Sequence, residues 1–171
     1  MSRPLILSVD PGIVNIGVAA LDGISRAILQ SDTLGVPESR PGQTQILIDL
    51  IIDWLMATRN RLADTHHVIA VIVEQQGFSR ILFGQMAAVM AIDATMAVQD
   101  VRVRIGPSCI HKASIIRYFG MGIDLPKDPT ERYWENKRRS SEKVQKLYAS
   151  AFDSHQSEAI LQAYLWSVLY L

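Results

Sequence analysis

Leu5-Ile6-Leu7-Ser8-Val9-Asp10-Pro11-Gly12 is an apolar run that ends on an acid and then a turn. The run reads as a buried strand that Pro11-Gly12 terminates. Working outward, 16–21 reads as a second strand. Asp22-Gly23 is a hairpin dipeptide leading into a third strand over 24–34. A Pro/Gly loop covers 35–42, and Ile46, Leu47, Leu50, Ile51, Trp54 and Leu55 then recur at helical spacing within 43–63. Val68 to Val73 is a continuous apolar run rich in β-branched residues, the pattern of a central strand, and it ends on Glu74.

Beyond Glu74 the pattern predicts a helix over 81–98 rich in Met and small residues, then a short strand over 101–105. Pro107-Ser108 opens a helix to 119, and 121–135, with Pro126 and Pro129, reads as irregular. Helices over 136–149 and 154–171 finish the chain. The order implies one α/β domain over 1–171, a mixed five-stranded sheet flanked by helices. No apolar run approaches the roughly 20 residues of a membrane span. No presequence is evident before the first strand, and the single cysteine, Cys109, has no internal disulfide partner. These features point to a reducing compartment and no membrane.

Apolar residues are 49% and charged residues 20% of the 171, with a formal net charge of zero. That zero averages over an uneven chain. Residues 1–101 carry six Lys/Arg against ten Asp/Glu, and residues 102–146 carry eleven against five. A basic stretch set against acidic ones suits a phosphodiester substrate, although a solvated polar stretch gives the same count.

Asp10 and Glu74 each stand just past the C-terminal end of an apolar strand, where ligands bind in open α/β sheets. Burying an unpaired carboxylate is costly, so these are poor core residues. If the two strands are neighbours, the carboxylates can share a divalent cation; alone, either reads as a surface acid at a loop start. Asp153-Ser154-His155-Gln156-Ser157-Glu158 adds a third element. Residues three apart share a helix face, so His155 and Glu158 point the same way, with Asp153 or Ser154 as N-cap. Carboxylates with one imidazole suit Mg²⁺ or Mn²⁺.

Asp10-Pro11-Gly12-Ile13-Val14-Asn15-Ile16-Gly17 resembles the opening motif of RuvC-like Holliday junction resolvases. Val71-Ile72-Val73-Glu74-Gln75-Gln76 resembles the strand-borne Glu of the mitochondrial and poxvirus branch. Pro107-Ser108 with Lys112, Lys143-x-x-Lys146, and His155-x-x-Glu158-Ala159 are similar to the family's later motifs, in order, across residues 5–161. One departure stands out: the family usually ends on Asp, and this chain carries Glu158.

The resemblance implies an RNase H-like fold, a Mg²⁺ (or Mn²⁺) cofactor and cleavage of four-way DNA junctions by a symmetric homodimer. It implies Asp10, Glu74, His155 and Glu158 as metal ligands, with Lys112 stabilising charge on the phosphate. The helix over 81–98 is the implied dimer element. Phe78 is a candidate wedge at the crossover. Arg80, Arg102, Arg104, Lys137, Arg138, Arg139, Lys143 and Lys146 are candidate phosphate contacts. Two other readings stay open: an RNase H-like nuclease acting on RNA–DNA hybrids or flaps, and a branched-DNA scaffold with weak or no cleavage. Asp153 is an alternative fourth ligand. A cytoplasmic setting, or one with viral or bacteriophage DNA, fits the chain's opening.

Overall fold

The computed structural model describes residues 2–12, 14–35, 43–75 and 109–171. Five strands, β1 (Arg3–Asp10), β2 (Asn15–Asp22), β3 (Ile28–Gly35), β4 (His66–Gln75) and β5 (Cys109–His111), form one sheet of order β3-β2-β1-β4-β5. The β1–β2 and β2–β3 pairs are antiparallel, and β4 runs parallel to both β1 and β5. The sheet is therefore mixed and five-stranded, as the sequence predicts. Among the described residues four helices pack on it: α1 (Gln43–Leu62), α2 (Lys112–Tyr118), α3 (Pro129–Tyr148) and α4 (Ser154–Tyr170).

Each face of the sheet has its own core. Leu5, Leu7, Val9, Val71 and Val73 pack with α1 residues such as Ile51 and Leu55. Ile6, Ala70 and Ile72 pack with Ile115, Val144 and the α4 residues Ile160, Leu161 and Trp166. Side chains alternate across a strand, so Asp10, in phase with Ile6, turns toward α4. The phase of β4 is set by a bulge. Leu5 pairs with Val68 but Ile6 pairs with Ala70, which leaves Ile69 as an extra residue. Both Ile69 and Ala70 then face the α4 side, and the alternation that follows carries Glu74 to that side too.

Gly17 fixes how close α4 can come. A Cβ there would lie 1.9 Å from the His155 carbonyl oxygen, a backbone atom that cannot step aside. The first turn of α4 thus rests directly on β2, beside the Asp10–Gly17 pair. Gly17→Ala is expected to lower stability by about 3 kcal/mol, at the upper end of overpacking costs, and to displace His155 and Glu158. A urea midpoint equal to that of the parent chain would contradict the contact.

Several expected boundaries move, each for a local reason. The third strand was expected from residue 24 but begins at Ile28. The Asp22 carboxylate accepts from the amides of Ile24 (3.0 Å) and Ser25 (2.7 Å), and Arg26 takes a left-handed φ of 59°, so the turn is wider than a two-residue hairpin. The segment expected to be irregular to 135 becomes helix at Pro129. Proline is tolerated at the first helical position, and Asp128 caps it by accepting from Thr130 and Glu131, both at 2.9 Å. Cys109–His111 is strand rather than helix, and α2 starts only at Lys112. The expected helix over 81–98 and strand over 101–105 lie outside the described residues, as do Phe78, Arg80, Arg102 and Arg104.

Candidate active site

Strands β1 and β4 are neighbours, with Val9 paired to Val73, so Asp10 and Glu74 emerge side by side from the same sheet end. They hydrogen-bond through their side chains. Glu158, one turn into α4, closes over them. All three carboxylates are buried, at 4%, 3% and 4% exposure. Three buried acids near one another require cations, and two lysines supply them.

Lys137, from α3, reaches Asp10 Oδ2 at 3.6 Å and is hydrogen-bonded to Glu158. Lys112, at the start of α2, donates to Glu158 Oε1 at 2.8 Å and lies 3.9 Å from Glu74 Oε2. Lys137 Nζ also stands 3.4 Å from His155 Nδ1. Lys137 is a candidate phosphate contact by sequence; its ammonium sits inside the acidic cluster, with its side chain only 8% exposed. Nothing at residue 137 announces this, because Lys137-Arg138-Arg139 reads as one basic run. Helical phase separates them: Lys137 turns in while Arg138 stays in solvent, paired with Glu135 and Glu142.

The protonation pattern is uneven. Burial, and then the charges of Glu158 and Glu74, hold the Asp10 carboxyl well above the usual carboxylate range. Burial likewise raises Glu74, only partly offset by Lys112. For Glu158, burial pushes upward, but Lys112 and Lys137 outweigh it and the carboxyl lies below its ordinary value. Both lysines resist burial and are held above the ordinary range by the surrounding carboxylates. Burial and the nearby Lys137 ammonium lower His155, so its ring is neutral near pH 7. With Lys137 donating to Nδ1, the ring proton belongs on Nε2.

Asp22, at the other end of β2, shows the contrast. It is buried too, but Arg3 Nε at 2.7 Å, His66 Nε2 at 3.1 Å and two turn amides satisfy it. Although burial opposes it, those bonds set its carboxyl below the ordinary range. It is a structural acid with no unmet charge.

The donor set at Asp10, Glu74 and Glu158 is all hard oxygen, which matches Mg²⁺ or Mn²⁺ chemistry. Burial above all, with the neighbouring carboxylates, makes the Asp10 and Glu74 carboxyls hold their protons more tightly than usual. Among the described residues no three Asp, Glu, His or Cys side chains stand in an arrangement ready to hold a metal ion, and two ammonium groups sit among these acids. In chemistry these carboxylates fit a divalent cation, with Asp10 and Glu74 side by side at the strand ends.

Asp153 is the N-cap of α4. Its Oδ1 accepts from His155 N at 2.8 Å and Gln156 N at 2.9 Å, and its Oδ2 accepts from Thr33 at 2.5 Å. Gln156 completes a capping box by accepting from Asp153 N at 3.1 Å. Arg139 is similarly committed, donating to Glu135 and to the carbonyls of Met121, Ile123 and Asp124. Lys143 lies 5.6 Å from the Phe119 ring centroid and Lys146 is exposed. No helix among the described residues is long and apolar enough to cross a membrane.

No family model and no curated protein matches the sequence. Solved structures do match the fold. Thermus thermophilus RuvC superposes with a TM-score of 0.60 at 16% identity, over 93% of this chain and 90% of that one. T. thermophilus RuvC in complex with Holliday junction substrate gives 0.59 at 15%, over 94% and 90%. The yeast mitochondrial Holliday junction resolvase Ydc2 gives 0.53 at 14%, over 97% and 79%. The chain thus has the fold of the RuvC-like resolvases, an RNase H-like sheet with Asp10 and Glu74 at neighbouring strand ends beneath the first turn of α4.

Proposed function

We propose that this chain is a metal-dependent endonuclease that cuts branched DNA, four-way junctions foremost, by paired nicks from a homodimer. The observation that carries the reading is the buried trio Asp10, Glu74 and Glu158 gathered at one sheet end around Lys112 and Lys137. A fold needs no such cluster for stability, and Asp22 shows what a satisfied buried acid looks like here. The likeness to resolvase structures, one of them in complex with Holliday junction substrate, supports junction DNA as the substrate.

Bound by Asp10 and Glu74, with Glu158 and His155 beside them, Mg²⁺ would supply Lewis-acid activation of water and neutralise charge at the phosphate. The remaining work belongs to the chain. Lys112, a third exposed at the mouth of the cluster, is placed to meet a phosphate oxygen. Lys137 stays cationic and keeps Glu158 ionised and fixed. Neutral His155 presents its Nε2–H as a donor that orients the attacking water or a phosphate oxygen. Two strands must be cut at a crossover, which calls for two copies of this site and hence two chains. Arg138, Lys143 and Lys146, on α3, are the described candidates for phosphate contacts, joined by Arg80, Arg102, Arg104 and the Phe78 wedge.

The test is one preparation assayed on four-way, three-way, flap and RNA–DNA hybrid substrates with Mg²⁺ or Mn²⁺. Symmetric nicks on the four-way junction, at least tenfold faster than on the hybrid, are expected. Equal rates on all four would defeat the junction reading while leaving a nuclease. Tight junction binding without cleavage in either metal would sink the enzyme reading and leave a binding scaffold.

A further inference from the structure

One turn before Lys137 on α3, two large aromatic side chains face outward. Trp134 is 64% exposed and Tyr133 is 38% exposed. Their rings pack edge to face, with centroids 5.1 Å apart and planes at 78°. The Tyr133 centroid lies 5.8 Å from Lys137 Nζ, the ammonium that holds Asp10 and Glu158. The pair is thus continuous with the acidic cluster through one side chain. Leaving an indole in water forgoes its burial, and exposed aromatics beside polar groups mark interaction sites.

We propose that Tyr133 and Trp134 form a stacking platform for an unpaired base of the branched DNA, the base flanking the phosphate held at the carboxylates. This rests on the branched-DNA reading above and adds the element that would recognise unstacked rather than paired DNA. Bases in a continuous duplex are covered by their neighbours; at a branch point a base face is free to stack on an aromatic ring. Cations lie around the pair, interleaved with the acids Glu131 and Glu135, the latter paired with Arg138. Exposed Arg138 follows Trp134 by one helical turn, exposed Lys127 lies just before the helix, and Lys137 sits between platform and cluster. A nucleic acid here would meet the exposed Lys127 at its backbone and the rings at its bases. Tyr133, held against Lys137 on the same helix face, orients the platform, and Trp134 offers the larger open surface.

The chain carries its own probe. Trp54 and Trp166 are buried at 8% and 0% exposure, so a base stacking on indole quenches Trp134 alone. Full-length protein is titrated without divalent cations with a four-way junction and with a fully paired duplex of equal length, reading tryptophan fluorescence and binding together. Quenching with the junction and little with the duplex is expected. Trp134→Ala should lose the quench and weaken junction binding by roughly 5- to 150-fold, leaving duplex binding unchanged, and Trp134→Phe should restore most of the affinity. Because Trp134 is largely in solvent, the substitution should not alter the unfolding midpoint. Junction binding by Trp134→Ala equal to that of the parent chain overturns the platform alone. A parent chain that prefers no branched DNA at all overturns both the platform and the reading beneath it. A Trp134→Ala chain that changes from dimer to monomer on sizing, with affinity per chain intact, assigns the rings to a protein interface and also overturns the proposal.

Discussion

Asp10→Asn is expected to abolish nicking, by more than about 1,000-fold, and at the same time to make the protein more stable. The two effects share one cause. The Asp10 carboxyl is held well above its ordinary range by burial and by Glu158 and Glu74, so its charge opposes folding at neutral pH. A raised carboxyl binds protons more readily in the folded state, and stability falls as pH rises above the unfolded value of about 4. Asparagine removes that repulsion while Lys137 keeps its hydrogen-bonded partner Glu158. A higher urea midpoint at pH 7 is expected, and the gain should vanish as pH falls toward about 4. Urea unfolding of both proteins across that range checks it. A lower midpoint for Asp10→Asn at pH 7 would mean that Asp10 is a structural acid like Asp22, and the catalytic assignment would fall with it.

Glu158→Gln should also be inactive, and it should move stability the other way. Glu158 alone binds both lysines, and despite its burial they hold its carboxyl below the ordinary value. A depressed carboxyl stabilises the fold above its unfolded value, about 4.3, and that contribution is lost as pH falls. Glutamine leaves two ammonium groups facing each other with only Asp10 and Glu74 nearby. The expected cost is about 3 kcal/mol, toward the low end for a broken buried pair because Lys112 keeps a third of its surface in water. Glu158→Asp retains the charge on a shorter arm, so its midpoint should fall between the other two and part of its activity should survive. If Glu158→Gln cleaved normally, the role given to Glu158 would be wrong whatever its stability.

These opposite signs bear on the one departure from the resolvase pattern, the longer Glu158. Its carboxylate spans Lys112 on α2 and Lys137 on α3, tying both helices to α4 over the strand ends. The residue therefore joins the site to the second core of the sheet.

Much of this was legible in the residues themselves. The apolar runs ending on Asp10 and Glu74 announced two strands with acids at their tips, because a β-branched run can be satisfied only in a buried sheet and an acid only at its edge. The three-residue spacing of His155 and Glu158 announced one helix face. Pro11-Gly12 announced the turn that ends the first strand, and a Cβ at Gly12 would strike the Asn15 carbonyl oxygen at 2.0 Å. Local chemistry sufficed for all of these, since each depends on neighbours in sequence.

Three things belonged to the tertiary structure alone. The bulge at Ile69 sets which way Glu74 points, and a continuous apolar run hides it because both faces of that strand are buried. The burial of Lys137 depends on how α3 lies against α4, since three consecutive basic residues look alike until one of them meets Asp10 and Glu158. The Asp10–Glu74 contact, the feature on which the site turns, exists because β4 crosses over to pair beside β1. Sequence determined which residues could carry charge at the strand ends; the pairing of distant strands, a long-range choice no local spacing encodes, decided which of them share one site.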